Sequence, residues 1–151
     1  MLIDPVAIDP SGATTLDGWF PSRGGERLAC LLSAGGTDQS DLRVLDVASG
    51  EIIDGPIDRA AHSWVTWLPG GEAFYYRRQP PDRSDADLDG DGQFRRPVYL
   101  HRVGTSPEGD VLILGHGLPR RAYFSPEVSP DGRWLRLDAT WGRDRPRAPR
   151  L

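Results

Sequence analysis

Short apolar runs separated by glycine-rich turns recur three times along the chain. In the clearest copy, within residues 63–78, runs of aromatic and β-branched residues flank Pro69-Gly70-Gly71. The same pattern surrounds Gly24-Gly25 and Asp131-Gly132. Short apolar runs on both sides of a Pro/Gly turn predict paired antiparallel strands. Each copy is therefore predicted to be a β-hairpin, and the chain to be built from an internal repeat.

The spacing of the turn glycines predicts the kind of repeat. Gly25 and Gly71 are 46 positions apart, and Gly71 and Gly132 are 61 positions apart. The longer interval contains a polar insert at residues 79–95, so the underlying period is close to the first spacing. Four-stranded propeller blades repeat every 40–50 residues or so. The sequence thus predicts an all-β fold, an incomplete β-propeller of about two and a half four-stranded antiparallel blades within residues 2–141.

The boundaries of these units follow from the apolar runs and the turn residues between them. The predicted divisions are three blades at about 15–58, 60–117 and 122–141, an acidic inserted loop at 79–95, and a disordered Arg/Pro-rich tail at 142–151. The tail is assigned to disorder because Pro146 and Pro149 interrupt any regular element there.

One strand shows how the blades are expected to pack. Leu28, Cys30 and Leu32 share one face of the predicted strand, and Ala29 and Leu31 share the other. A strand that is apolar on both faces must be covered on both, as in a blade between two neighbours. An open wedge of blades is therefore expected to expose both of its terminal faces unless something covers them.

Composition narrows the classes of function. The formal net charge is −4, from 18 basic and 22 acidic residues, which gives no broad positive surface for nucleic acid or for an anionic membrane. Cys30 is the only cysteine, which rules out an internal disulfide and a cysteine-based metal site. No signal-peptide pattern or long apolar run is present. A soluble cytoplasmic protein without a cofactor is expected.

Six short motifs follow one another in a characteristic order along the chain. They are Leu2-Ile-Asp-Pro5, Gly12-Ala-Thr-Thr-Leu-Asp-Gly-Trp19, Asp46-Val-Ala-Ser-Gly-Glu51, Trp67-Leu-Pro-Gly-Gly-Glu-Ala-Phe-Tyr-Tyr76, Val98-Tyr-Leu-His-Arg-Val-Gly104 and Val128-Ser-Pro-Asp-Gly-Arg133. This ordered set resembles the prolyl oligopeptidase family, specifically part of its N-terminal seven-bladed β-propeller, over about residues 2–138.

The resemblance implies a role in peptide hydrolysis. In that family a separate α/β-hydrolase domain with a Ser-Asp-His triad cleaves peptides, and the propeller admits only short ones. The nucleophile of such a domain requires Gly-x-Ser-x-Gly, whereas the nearest segment here, around Ser106, lacks the second glycine. We therefore expect no catalytic residues in these 151 residues. The chain is predicted to be a fragment of the substrate-gating propeller, inactive alone, which meets short peptides only in a full-length enzyme with its hydrolase domain.

Two other functions remain open from the residues alone. The chain is alternatively a stand-alone interaction module that completes its blades by self-association. A third hypothesis, a calcium-stabilised domain, rests on Asp87, Asp89 and Asp91, which alternate before a glycine as in a calcium loop. Val98 stands where such a loop needs a bidentate Glu, which favours a solvated acidic loop without a metal.

The remaining candidates are histidines and aromatic residues. By the resemblance, His62 lies on the innermost strand of its blade and is a substrate-tunnel candidate, with an ordinary surface or tunnel-lining histidine as the alternative. His101 and His116 have no ligand-spaced partners and are predicted to be strand or turn residues rather than zinc ligands. Packing between blades is predicted for the aromatic series Trp19, Trp64, Trp67, Tyr75, Tyr76 and Trp134.

Overall fold

A computed structural model gives the structure of the protein, and it describes residues 9–37, 39–79, 97–115 and 122–141. The tail at 142–151 and all but Gln79 of the predicted inserted loop lie outside the described residues, so both assignments stay predictions. Within the described ranges, no helix is both long enough and apolar enough to cross a membrane.

The described chain forms antiparallel sheets in sequence order. The first sheet has the order β1 (Thr14–Pro21), β2 (Arg27–Ala34), β3 (Ser40–Asp46) and β4 (Ile52–Ile57); the second has the order β5 (Thr66–Trp67), β6 (Ala73–Arg77), β7 (Val98–Arg102) and β8 (Val111–Leu114); the third pairs β9 (Ala122–Val128) with β10 (Leu135–Trp141). Two four-stranded sheets and a two-stranded one confirm the predicted fold, a fragment of a β-propeller.

The three glycine-rich turns have the same hydrogen bonds, which confirms the repeat at the level of the backbone. In each, the residue after the first strand donates its N–H to the carbonyl five positions later, and a glycine donates back to that residue. The N–H groups of Ser22, Leu68 and Ser129 donate to the carbonyls of Arg27, Ala73 and Trp134, respectively, at 2.8–2.9 Å. The N–H groups of Gly25, Gly71 and Gly132 donate to the carbonyls of Ser22, Leu68 and Ser129, respectively, at 2.9–3.1 Å.

These turns also pack on one another at one end of the molecule. The Arg27 guanidinium donates to the Gly71 carbonyl at 2.7 Å. A Cβ added at Gly71 would lie 3.3 Å from Cβ of Ser22, and one at Gly132 would lie 3.0 Å from the ring of Pro69. Glycine is thus required here by close contact between neighbouring blades as well as by its positive φ.

The first strands of the three sheets are side by side. The indole N–H of Trp67 in β5 donates to the Phe20 carbonyl of β1 at 2.9 Å. On the other side, the Thr66 hydroxyl donates to the Pro126 carbonyl of β9 at 2.7 Å. Because each first strand contacts the next, these strands lie on the inner side of the wedge, as blades arranged around a common axis require.

The main core fills the space between the first two sheets. The first sheet contributes one face and the second contributes an aromatic face, and the buried members are Ala29, Leu31, Leu42, Val44, Ile57, Ala60, Val65, Trp67, Phe74 and Tyr76. A smaller cluster around Val98 and Phe124 joins the second sheet to the third. The second sheet is thus covered on both faces, which explains why both of its faces are apolar.

The outward face of the first sheet is mostly buried, whereas the sequence predicts that both terminal faces of the wedge are exposed. On the first sheet, Leu28, Cys30, Leu32 and Leu45 are buried, whereas Trp19 on the same face is 63% exposed. Cys30 is a buried free thiol, and burial raises its pKa to about 11.

The third sheet presents a charged outward face. Arg136 forms ion pairs there with Glu127 at 2.5 Å and with Asp138 at 3.0 Å. Leu135 and Leu137 alternate with these residues and point toward the second sheet, opposite Val128 and Pro126. Period-2 alternation therefore places the apolar side chains inward and leaves the outward face to ion pairs.

Only some residues of the predicted aromatic series are buried between the blades. Trp67 and Tyr76 are buried and Tyr75 is half-buried, as predicted. The prediction is wrong for Trp19, Trp64 and Trp134, which are 57–71% exposed. Trp64 and Trp134 lie in connecting segments, where side chains are not constrained to face a neighbouring sheet.

Candidate functional site

A cavity of about 550 Å³ lies between the first sheet and the linker that enters the second sheet. Its lining combines aromatic, apolar and polar side chains from the first three strands, the turn between β2 and β3, and the linker at residues 58–65. These side chains are Asp17, Phe20, Leu31, Thr37, Ser40, His62, Ser63 and Trp64. Cavities of this size with a few polar groups among apolar ones are typical of small-molecule and peptide sites.

The cavity has an aromatic wall and a hydrogen-bonded polar wall. Phe20 and Trp64 pack with ring centroids 6.2 Å apart and planes inclined by 53°. On the polar side, the Ser40 hydroxyl donates to the Asp17 carboxylate at 2.5 Å. The site can therefore contact an apolar side chain through its rings and accept hydrogen bonds through Asp17.

His62 lines this cavity, but its predicted place on the innermost strand is wrong. The strand β5 begins only at Thr66, and His62 lies in the preceding turn, where Ser63 N–H donates to the Ala60 carbonyl at 2.9 Å. His62 is exposed and has a φ of +53°. This left-handed conformation does not occur within a regular strand, so His62 lines the cavity from the turn.

The end of β6 holds the linker in this conformation. The Arg77 guanidinium donates to the His62 carbonyl at 2.5 Å, and Arg77 N–H donates to the Ser63 hydroxyl at 2.9 Å. One residue later, Arg78 binds both the carbonyl and the carboxylate of Asp58. These bonds fix the backbone of the linker and thereby the position of His62 at the cavity.

A second polar cluster, buried between the first two sheets, centres on His101. Its Nδ1 lies 2.7 Å from the Asp110 carboxylate, and its Nε2 lies 2.8 Å from the Asp54 carboxylate. Tyr76 donates its hydroxyl to Asp110 at 2.6 Å, and Gly104 N–H donates to Asp54 at 2.9 Å. His101 is fully buried, so this cluster binds no ligand directly.

The charges of this cluster shift the pKa values of its members. Burial alone lowers the pKa of His101, but hydrogen bonds and charges from Asp110 and Asp54 outweigh it and raise the pKa to about 9. Burial raises the pKa of Asp54, yet the bonds from His101 and Gly104 hold it below its usual value. Burial and the bond to Asp110 raise the pKa of Tyr76. His101 is thus a cation at neutral pH.

Sequence reasoning located His101 on a strand correctly but missed its role. Asp54 is 47 positions away in another blade, and no local spacing joins the two. The one signal was alternation: Tyr99, His101 and Val103 share a face of the strand, so a histidine stood on a face otherwise made of apolar and aromatic residues.

The metal hypotheses concern the acidic loop and the histidines. In the part of the chain that is described, no group of three or more His, Cys, Asp or Glu side chains is arranged to hold a metal ion. Asp87, Asp89 and Asp91, the calcium-loop candidates, lie outside the described residues, as does His116. Calcium binding therefore stays an untested hypothesis.

The fold defines a class: a segment of a β-propeller, with a cavity beside its first innermost strand. The chain matches the family model of the prolyl oligopeptidase N-terminal β-propeller domain over residues 1–147. It belongs to the prolyl oligopeptidase family.

Similar proteins agree on this family. The chain is 30% identical over 139 residues to a prolyl endopeptidase of Elizabethkingia miricola, covering 92% of this chain and 19% of that protein. It is 27% identical to prolyl oligopeptidase A of Galerina marginata, covering 91% of this chain and 21% of that protein.

Solved structures show the same relationship. A prolyl endopeptidase structure superimposes with a TM-score of 0.78 at 26% identity, over 93% of this chain and 21% of the other. Prolyl oligopeptidase B of Galerina marginata, bound to a 35-residue hydrolysis and macrocyclization substrate, gives a TM-score of 0.77 at 20% identity, over 91% and 20% of the two chains. The chain spans about a fifth of the length of these relatives.

Proposed function

We propose that this chain forms substrate-gating blades of a prolyl oligopeptidase-like serine peptidase and has no peptidase activity of its own. The observation that carries the proposal is the cavity between Phe20 of β1, the innermost strand of the first sheet, and His62 and Trp64 of the linker. A propeller that admits peptides to a catalytic domain must contact them beside its innermost strands. Hydrolysis is assigned to a domain with a nucleophile elbow, a motif that these 151 residues do not contain.

The chemistry of the cavity suits short proline-containing peptides. A proline ring is apolar and stacks on aromatic faces such as those of Phe20 and Trp64. Asp17 can accept hydrogen bonds from peptide N–H groups beside it, and His62 can donate or accept. The cavity thus offers contacts for both the side chains and the backbone of a short peptide.

The purified chain should bind a blocked Gly-Pro dipeptide at this cavity and leave it intact. We expect the indole signal of Trp64 to shift in two-dimensional NMR as peptide is added, because the ring borders the cavity. The His62→Ala variant should weaken binding about fivefold, a loss of roughly 1 kcal/mol for one aromatic contact. A chromogenic proline peptide should show no cleavage above the buffer rate.

The matched control is Trp134, another exposed tryptophan, which lies in the β9–β10 turn away from the cavity. Its indole signal should stay in place throughout the titration. Equal shifts of Trp64 and Trp134 would indicate nonspecific binding and contradict the proposed site. Cleavage that copurifies with the wild-type chain would contradict the assignment of catalysis to another domain.

A second function, self-association, is supported by the outward face of the first sheet. Trp19 is 63% exposed there, and Leu32 and Arg43 of the same sheet line a groove of about 260 Å³. An exposed indole on a sheet that also borders a groove is typical of a surface that another protein covers. A second copy of this chain is the proposed occupant because an open wedge can complete its blades with those of another copy.

Light scattering of the purified chain tests self-association. We expect a discrete oligomer that melts cooperatively, and we expect Trp19→Ser to shift the mass toward the monomer because it removes the exposed ring. Trp134→Ser, which removes an equally exposed ring elsewhere, should leave the mass unchanged. A wild-type mass equal to that of the monomer, with a cooperative melt, would rule out this second function.

A further inference from the structure

The His101 cluster connects the outer parts of two neighbouring blades. Asp54 lies in β4, the outer strand of the first sheet, whereas His101 lies in β7 and Asp110 directly precedes β8 of the second sheet. Both carboxylate side chains are nearly as inaccessible as the imidazole, with exposed fractions of 6% and 3%. The cluster therefore closes the outer end of the apolar core that joins the two blades.

The geometry fixes the protonation of His101. A neutral imidazole has one N–H, so it can donate to one carboxylate and must turn a lone pair toward the other. Here both ring nitrogens lie within 2.8 Å of carboxylate oxygens. Only the imidazolium form, with two N–H groups, makes both contacts favourable.

The other partners in the cluster are all donors to the carboxylates. The Tyr76 hydroxyl and the Gly55 N–H donate to the second oxygens of Asp110 and Asp54, at 2.6 and 2.7 Å. The Gly104 N–H donates at 2.9 Å to the Asp54 oxygen that faces His101. Phe74 and Tyr76 cover the imidazole, with ring centroids 5.2 Å and 6.2 Å away. The titratable groups that face His101 are therefore Asp54 from β4, Asp110 from the segment before β8, and Tyr76 from β6.

We propose that Asp54, His101 and Asp110 form a charged latch between the first two blades, and that loss of the imidazolium proton at alkaline pH releases it. Release leaves two buried carboxylates facing a neutral ring, so the outer strand β4 separates from the second sheet before the apolar core does. The cluster is then a pH-sensitive device that sets how tightly these two blades are joined. It is independent of the proposed peptide site.

The pH dependence has a defined sign. The pKa of His101 is about 9 in the folded protein and ordinarily 6.5. Its contribution to stability is therefore complete below about pH 6.5 and is lost as the pH rises through 9. For Asp54, whose pKa is lowered, the contribution is present above its ordinary value of 3.8 and is lost only in acid. The latch is closed across the neutral range and opens in alkali.

Nitrogen-15 NMR of the imidazole rings tests the protonation state directly. At pH 7 we expect both ring nitrogens of His101 to show the imidazolium pattern, and we expect the ring to titrate near pH 9. In urea the same ring should titrate near 6.5 or so, the ordinary value for histidine. Asp54→Asn should lower the folded midpoint by about one pH unit or more because it removes one of the two charges.

Unfolding experiments test the latch as a source of stability. Between pH 7 and pH 10, the unfolding equilibrium constant of the wild type should rise about 70-fold more than that of His101→Gln, the factor that follows from the two pKa values. The Gln variant still contains Cys30 and Tyr76, whose alkaline titration is thereby cancelled in the comparison. Hydrogen exchange at pH 10 should be faster in β4 than in β2.

Several results would overturn the latch. One is a folded His101 that titrates at or below 6.5 or so, or that has a single protonated ring nitrogen at pH 7. Another is equal alkaline destabilisation of the wild type and His101→Gln. If the variants fail to fold, the wild-type ring titration alone still decides the question, since it requires no substitution.

Discussion

Replacing Phe74 with alanine should destabilise the chain by about 3–5 kcal/mol, the usual cost of removing a buried aromatic ring. Phe74 is fully buried at the centre of the interface between the first two sheets. Its ring contacts Trp67 at 4.9 Å and Tyr76 at 5.8 Å, both edge to face. It also covers His101 at 5.2 Å. The substitution therefore leaves a cavity and exposes a buried cation at the same time.

The measurement is the free energy of unfolding from urea denaturation followed by tryptophan fluorescence. Trp134→Ala is the control, because it removes an exposed ring and should change stability by no more than about 0.5 kcal/mol. Equal losses for the two variants would mean that the interface between the sheets does not hold the fold together.

Gly55→Ala should cost roughly 3 kcal/mol for two combined reasons. Gly55 has a φ of +95°, which an alanine adopts at a cost of roughly 1–2 kcal/mol. In addition, a Cβ at this position would lie 2.6 Å from the Leu42 carbonyl oxygen, a clash with backbone that cannot move aside cheaply. Overpacking of this kind typically adds about 1–3 kcal/mol. Because Gly55 follows Asp54, the change should also disturb the latch.

Gly12→Ala separates the two contributions. Gly12 has a φ of +72°, but a Cβ there would meet nothing within 4 Å. This variant should therefore lose only the backbone cost, about 1–2 kcal/mol. Thermal melts of the two variants and the wild type give the comparison. Equal losses at Gly12 and Gly55 would show that the close approach of β4 to β3 contributes nothing.

The proposed cavity and the latch lie at separate places along the contact between the first two blades, so they can be tested separately. The linker carrying His62 is held by Arg77 and Arg78 at the end of β6. The latch lies at the outer strands, with the buried aromatic rings between the two. Substitutions in the latch should therefore change stability and its pH dependence, whereas His62→Ala should change peptide binding only.

Strand positions could be predicted well because they depend on local pattern. The sequence predicts strands at about 27–33 and 73–78, and the structure has Arg27–Ala34 and Ala73–Arg77. His62 was misplaced because a left-handed residue just before a strand leaves no mark on the apolar periodicity. Conformations of this kind are imposed by tertiary contacts, here by Arg77, and not by the residue's own preference.

The amino-acid sequence by itself determined the hairpin turns, the repeat and the family, since each depends on short local patterns and on their order along the chain. Turn chemistry and period-2 alternation act over a few residues and can be read directly from the chain. Only the tertiary structure decided which polar residues meet between blades. Asp54 and His101 are 47 positions apart, and burial turns their contact into a strong ionic one. The low dielectric of the buried site strengthens the attraction between the charges, and that burial depends on the packing of two blades, which no local pattern records.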